Sequence, residues 1–143
     1  MKREIRFRGK RKDNGEWVSG SLLNNLWGKT VEIVDPSEYP DYDSLEDIVY
    51  LAVEVDLETV GQYTGLHDRN GKEIYEGDIA IHESCNTCIV VYDSNRAKFK
   101  MCTINMYKSN VGNSGWTGFA IELRSAQFEI IGNRWDNPDL LEG

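Results

Sequence analysis

Between Lys29 and Arg69 the sequence has no lysine or arginine, while eleven Asp and Glu residues accumulate in the same stretch. Prolines are few, three in 143 residues, which excludes a Pro-rich linker or polyproline segment. Only three cysteines occur, Cys85, Cys88 and Cys102, an odd number too small for a disulfide framework and suited to a reducing compartment. The two histidines, His67 and His82, offer no Ser-His or Cys-His constellation with an orienting carboxylate. The longest apolar runs are only a few residues, so no membrane span is expected, and the basic opening residues do not read as a signal peptide. A cytoplasmic protein of a bacterial host cell is the expectation.

What is present reads as globular. Hydrophobic residues at 40% and charged residues at 28% can support a core rather than a disordered chain. Net charge is −8, yet residues 1–12 carry +6, which leaves −14 for the rest. An acidic total argues against non-specific binding of nucleic acid, because polyanions repel. The basic end nonetheless keeps phosphate contact open.

Period-2 alternation dominates. Ile5 and Phe7 alternate with Arg6 and Arg8, Asp13-Asn14-Gly15 is a turn, and Trp17-Val18 resumes, so residues 4–21 read as a β-hairpin with one positive face. Thr30–Val34 and Val49–Asp56 read as strands, Pro36–Asp43 as a surface loop and Ser44–Asp47 as a single helical turn. Asp68-Arg69-Asn70-Gly71 is another turn, followed by Ile74-Tyr75 and by strands at Ile79–His82, Ile89–Tyr92 and Lys98–Met101. Lys108–Gly118 reads as a loop, Phe119–Leu123 and Phe128–Ile131 as closing strands, and Asn133–Gly143 as a surface cap. The expected fold is mainly β: antiparallel hairpins with a small SH3-like barrel in the C-terminal half and little helix. The division is 1–65, carrying the basic arm and acidic segment, and 66–143, the barrel-like region, with one compact unit also open.

Chemical motifs are sparse. Cys85-Asn86-Thr87-Cys88, with His82 or Cys102, could gather zinc ligands, since a C-x-x-C turn presents two thiolates to one ion. A secure zinc site usually shows a second pair, so two incidental cysteines in a hairpin is the favoured reading and no cofactor is expected. The zinc-deaminase pattern fails because Glu83 directly follows His82 and no proline precedes Cys85. No phosphate-binding glycine loop, dinucleotide fingerprint or calcium loop occurs. The acidic run reads as a solvated face, and no catalytic residues are assigned.

The segment Thr59-Val60-Gly61-Gln62-Tyr63-Thr64-Gly65-Leu66-His67-Asp68-Arg69-Asn70-Gly71-Lys72-Glu73-Ile74-Tyr75-Glu76-Gly77-Asp78-Ile79 resembles the signature of the YopX-like family of phage and prophage proteins. Arg3-Glu4-Ile5-Arg6-Phe7-Arg8-Gly9 is similar to that family's opening strand. Ile130-Ile131-Gly132-Asn133 and Asn137-Pro138-Asp139-Leu140-Leu141 are similar to its ending. The resemblance implies a mainly β fold, a phage or prophage origin and homo-oligomers, with no agreed activity.

Within the signature the glycines suit turns, whereas Gln62-Tyr63-Thr64 carries more polar identity than a turn needs. A tyrosine hydroxyl paired inside the core is the plainer explanation. Interaction candidates are therefore Arg3, Arg6, Arg8 and Lys10 on the basic strand, with Gln62, Tyr63 and Thr64. The leading expectation is a non-enzymatic module that self-associates and binds a host or phage protein. Nucleic-acid association through the basic strand, or acidic mimicry of DNA, are the alternatives.

Overall fold

The computed structural model describes residues 4–24, 28–35, 51–82, 85–110 and 122–142. The expected loop Pro36–Asp43 and helical turn Ser44–Asp47 lie outside them, as do parts of the expected segments 108–118 and 119–123. The chain divides into two compact units, Met1–Tyr63 and Thr64–Gly143.

In the first unit, β1 (Phe7–Lys10) and β2 (Trp17–Asn24) form the hairpin that the alternation predicts, in register from Phe7 opposite Gly20 to Lys10 opposite Trp17. The turn closes through Arg11, whose amide donates to the Glu16 carbonyl at 2.9 Å. β3 (Val31–Val34) pairs with β2, and β4 (Val53–Glu54) with β3, while the start of β5 (Gly61–His67) pairs with β1. The order is thus β4-β3-β2-β1-β5, antiparallel throughout. Val31, Ile33 and Val55 form the core, with Phe7, Val18, Leu22 and Val60 packed against it. Period 2 explains this partition, since each strand sends alternate residues to that face.

Gly20 is required by close approach, because a Cβ there would sit 2.2 Å from the Val34 carbonyl oxygen. Of the expected strand Val49–Asp56, residues 51–56 are described, and among them Val53–Glu54 is strand, with Val55 bridged to Arg11. Asp56 caps a 3₁₀ turn, Leu57–Thr59, by accepting from the Glu58 amide, and the chain bends there. Among the described residues, two carboxylates of the run expected to be solvated are inside: Asp68 is 3% exposed, and Glu32 is 2% exposed and takes a hydrogen bond from the Thr30 hydroxyl.

In the second unit the remainder of β5 is hydrogen-bonded to β6 (Glu73–Tyr75). A separate sheet has the order β10-β7-β8-β9, built from β7 (Asp78–His82), β8 (Cys85–Asp93), β9 (Lys98–Thr103) and β10 (Glu129–Asn133). Ile74, Ala80, Cys88, Val90, Met101 and Phe128 cluster together. Ile79, Ile89, Val91, Cys102 and Ile104 form a second cluster, joined by Leu140 and Leu141. Strand pairing puts Ile89 opposite Cys102 and Val90 opposite Met101, so the clusters occupy opposite faces of the sheet.

The mainly β, antiparallel expectation holds, but its small SH3-like barrel is not confirmed. The sheet is antiparallel but open, with β10 and β9 at its two ends, and no barrel closes among the described strands. A barrel keeps one face of its sheet for its own interior, whereas here apolar residues from outside the sheet cover each face.

The sequence reading also missed helix α1 (Ile104–Asn110). Five of its seven residues, Ile, Tyr, Ser and two Asn, are weak helix formers, and its start is marked by Thr103, whose hydroxyl accepts from the Met106 amide at 3.3 Å. Tertiary packing of Ile104, Met106 and Tyr107 against the second cluster supplies what propensity does not. No helix among the described residues is long and apolar enough to cross a membrane.

Candidate functional site

Alternation along β1 places Arg8 and Lys10 on the side opposite the first unit's core, and Arg6 continues that row. Antiparallel pairing then sets aromatic rings beside these cations. Lys10 is directly opposite Trp17, and Arg8 is diagonal to it. Both reach its indole, with the Arg8 guanidinium carbon 4.8 Å and the Lys10 ammonium 5.5 Å from the ring centroid. The Tyr63 amide donates to the Arg6 carbonyl at 2.8 Å, which brings the Tyr63 ring under the Arg6 guanidinium at 4.8 Å.

These are cation–π distances, each worth about 0.5–2 kcal/mol depending on desolvation, and they hold long side chains in defined positions. Arg6 Nε also meets Glu4 Oε1 at 2.9 Å. The result is a ladder of three cations over two rings on one sheet face. Tyr63 itself is only 4% exposed, so it supports the face from below.

The other predicted interaction residues separate from this ladder. Gln62 is opposite Phe7 and projects to the other side of the sheet. Thr64 is structural: its hydroxyl donates to the Ile74 carbonyl at 2.8 Å and accepts from the Leu66 amide at 3.2 Å. Arg3 lies outside the described residues.

The candidate metal ligands divide as well. Cys88 is disulfide-bonded and fully buried in the first cluster of the second unit. Cys102 is a free thiol in the cluster on the opposite face, so these two cannot share one ion. Burial pushes the Cys102 thiol up to about 11, against a smaller opposing effect of Lys100, which leaves it protonated and a poor ligand or nucleophile at neutral pH. His82 packs its ring on Phe128 at 4.7 Å. Among the described residues there is no group of three metal-ligating side chains.

The signature turns hold structure that the sequence only hinted at. Asp68 is 3% exposed and accepts three backbone hydrogen bonds, from Asn70 at 2.8 Å, Lys72 at 2.9 Å and Ile130 at 3.0 Å. Burial alone would push its carboxyl up, but the three amides outweigh burial and hold it below the ordinary carboxylate value. Asp78, 1% exposed, accepts from the Tyr75 amide at 2.8 Å and closes the Glu76-Gly77 turn.

Gly77 lies at φ +92 against Trp135, where a Cβ would fall 2.4 Å from the indole. Arg134 stacks on Trp135 at 4.5 Å, donates its amide to the Gly77 carbonyl at 3.0 Å and reaches the Tyr107 hydroxyl at 3.0 Å. The segment between the two similar C-terminal pieces thus locks onto the central signature and α1. Sequence spacing could not reveal that Asp68 and Ile130, 62 positions apart, are partners.

These features define a class: an antiparallel β protein of two units, in which turn carboxylates tie the second unit together and a cation–aromatic ladder lines a sheet of the first. Residues 6–142 match the YopX protein family, and the chain belongs to that family. It is also similar to protein EF1440 from Enterococcus faecalis, known from a crystal structure. The two are 18% identical over 98% of this chain and 99% of that one, with a TM-score of 0.48. No curated protein matches the chain.

Proposed function

We propose that this YopX protein is a phage- or prophage-encoded, non-enzymatic interaction module that self-associates and engages a host or phage protein in the bacterial cytoplasm. The observation that carries the reading is the ladder of Arg6, Arg8 and Lys10 over Tyr63 and Trp17. Cations fixed on rings lose less side-chain entropy on docking than solvated ones. The complementary surface is abundant, because residues beyond Lys12 sum to −14. Basic strand on acidic neighbour therefore pairs two copies, and the charge left over meets the other partner.

The test is the mass in solution by light scattering, for the natural protein and for Arg6→Gln/Arg8→Gln/Lys10→Gln, at low and high salt. An oligomer that falls to monomer in the variant and in high salt supports the reading. A natural protein that is monomeric at low salt overturns self-association.

One specific observation favours a second reading. Two cations on one indole, Arg8 and Lys10 on Trp17, also resemble a phosphate-and-base platform for single-stranded nucleic acid. Capture of nuclease-sensitive material that the triple variant loses would replace the first reading with this one. Salt dependence of that binding would measure the phosphates contacted.

A further inference from the structure

A cleft of about 420 Å³ lies in the second unit, far along the chain from the basic ladder, lined by Arg69, His82, Ala126 and Gln127. Its two walls come from segments about 60 residues apart, yet they are fixed to each other. The Ala126 amide donates to the His67 carbonyl at 2.8 Å, and the Arg69 amide to the Phe128 carbonyl at 2.8 Å. Asp68 adds its bond to the Ile130 amide at 3.0 Å. Arg69 and Gln127 are thus carried on an ordered backbone frame while their side chains are exposed.

Three features of this frame exceed what folding needs. Among the described residues the Arg69 guanidinium has no ion-pair partner, although acidic side chains are plentiful in the chain. Ala126 holds φ +66, a left-handed conformation that costs an alanine roughly 1 kcal/mol and is retained where the surroundings impose it. His82 is half-buried, with its ring packed on the fully buried Phe128, and it faces the cleft with limited freedom. The one carboxylate adjacent to Arg69 in the chain, Asp68, is committed to three amides.

We propose that this cleft binds a small molecule through an oxyanion, a phosphoryl or carboxylate group, that Arg69 grips with help from Gln127. The guanidinium fork matches two oxygens of either group, Gln127 supplies an amide N–H, and the His82 ring lines the cleft beside them. The volume falls within the range for small-ligand sites. A preformed frame reduces the ordering that binding would otherwise require.

The experiment follows backbone amide shifts of the full chain as inorganic phosphate or sodium acetate is added. Saturable shifts confined to residues 67–69, 82 and 125–128, with a dissociation constant of about a millimolar, are expected for at least one of the two, and the stronger names the oxyanion. Arg69→Gln weakens that binding at least about tenfold, as loss of a charge-assisted contact should, and Gln127→Leu weakens it less. Arg124→Gln, at an exposed arginine paired with Glu122, leaves binding unchanged. Unchanged spectra elsewhere show that each variant is folded. No saturable shift with either ion, equal loss in Arg124→Gln, or full binding by Arg69→Gln overturns the proposal.

Discussion

Asp68 gives the sharpest test of how the second unit is held together. Its two carboxylate oxygens serve three amides, Oδ1 those of Asn70 and Lys72 and Oδ2 that of Ile130. In Asp68→Ala all three lose their acceptor. The Asn70 and Lys72 amides lie in an exposed turn and regain water, whereas Ile130 sits in β10 beside the buried Phe128. A hydrogen bond to a charged group contributes about 1.5–3 kcal/mol, and a stranded buried amide costs a similar amount, so the net loss is about 3 kcal/mol.

Asp68→Asn keeps the shape but turns one oxygen into an NH₂ that faces an N–H, at a loss of about 2 kcal/mol. The assay is urea unfolding by circular dichroism, in which the alanine variant shifts the midpoint by about 1.5 M for an ordinary slope. Exchange of the Ile130 amide should accelerate in both variants.

The pH dependence has a fixed sign. A carboxyl whose folded pKa is lowered contributes stability that is fully present above the unfolded value, about 4, and is lost as pH falls through the folded value. The gap between the natural protein and Asp68→Asn should therefore be constant from pH 7 to about 5 and narrow in more acidic solution. Equal stability at pH 7, or a gap that persists unchanged in acid while the protein stays folded, would refute the reasoning.

Gly77→Ala puts a methyl into the Trp135 indole at a backbone φ of +92, and strain plus overpacking should cost about 3 kcal/mol. Adding Trp135→Ala to that variant should cost less than in the natural protein, a non-additivity that a double-mutant cycle of unfolding energies measures. Burial raises the Glu76 carboxyl above its ordinary value against the weaker pull of Arg134, so its ionised form disfavours the fold at neutral pH. Glu76→Gln should raise the thermal midpoint at pH 7, and that gain should shrink as pH falls through the raised folded value and vanish below the unfolded one.

Legibility in the sequence followed the range of the interactions. The first hairpin was readable because alternation and an Asn-Gly turn act within a few residues, and the face carrying Arg6, Arg8 and Lys10 followed from period 2 alone. The rings beneath those cations were not readable, since Trp17 and Tyr63 arrive by strand pairing, and Tyr63 does so across 57 positions. β5 was hidden because Gly61 and Gly65 weaken strand propensity, and its pairing partners on both sides decide its conformation. α1 was missed for the converse reason, a helix held by packing. A small barrel was the expectation for the C-terminal half because short strands at short spacing look the same whether a barrel closes or outside elements cover both faces of an open sheet.

The signature itself divides by what the fold uses. Asp68 and Asp78 bind amides, Gly77 admits Trp135, Thr64 bonds Ile74, and Tyr63 carries Arg6. Asp68, Asp78, Gly77 and Thr64 are accounted for by closing a turn or fixing a neighbour, so their identity says nothing about a ligand, whereas Tyr63 belongs to the ladder. Arg69 is different. Its backbone is held on both sides, by Asp68 and by the Phe128 carbonyl, while its charge is presented to the cleft beside His82 and Gln127. A turn needs no arginine at that position, since an Asp-x-Asn-Gly turn forms from the carboxylate and the glycine alone. If Arg69→Gln leaves the Asp68-dependent stability intact, the side chain has no part in holding the turn, which is the condition the oxyanion proposal requires of it.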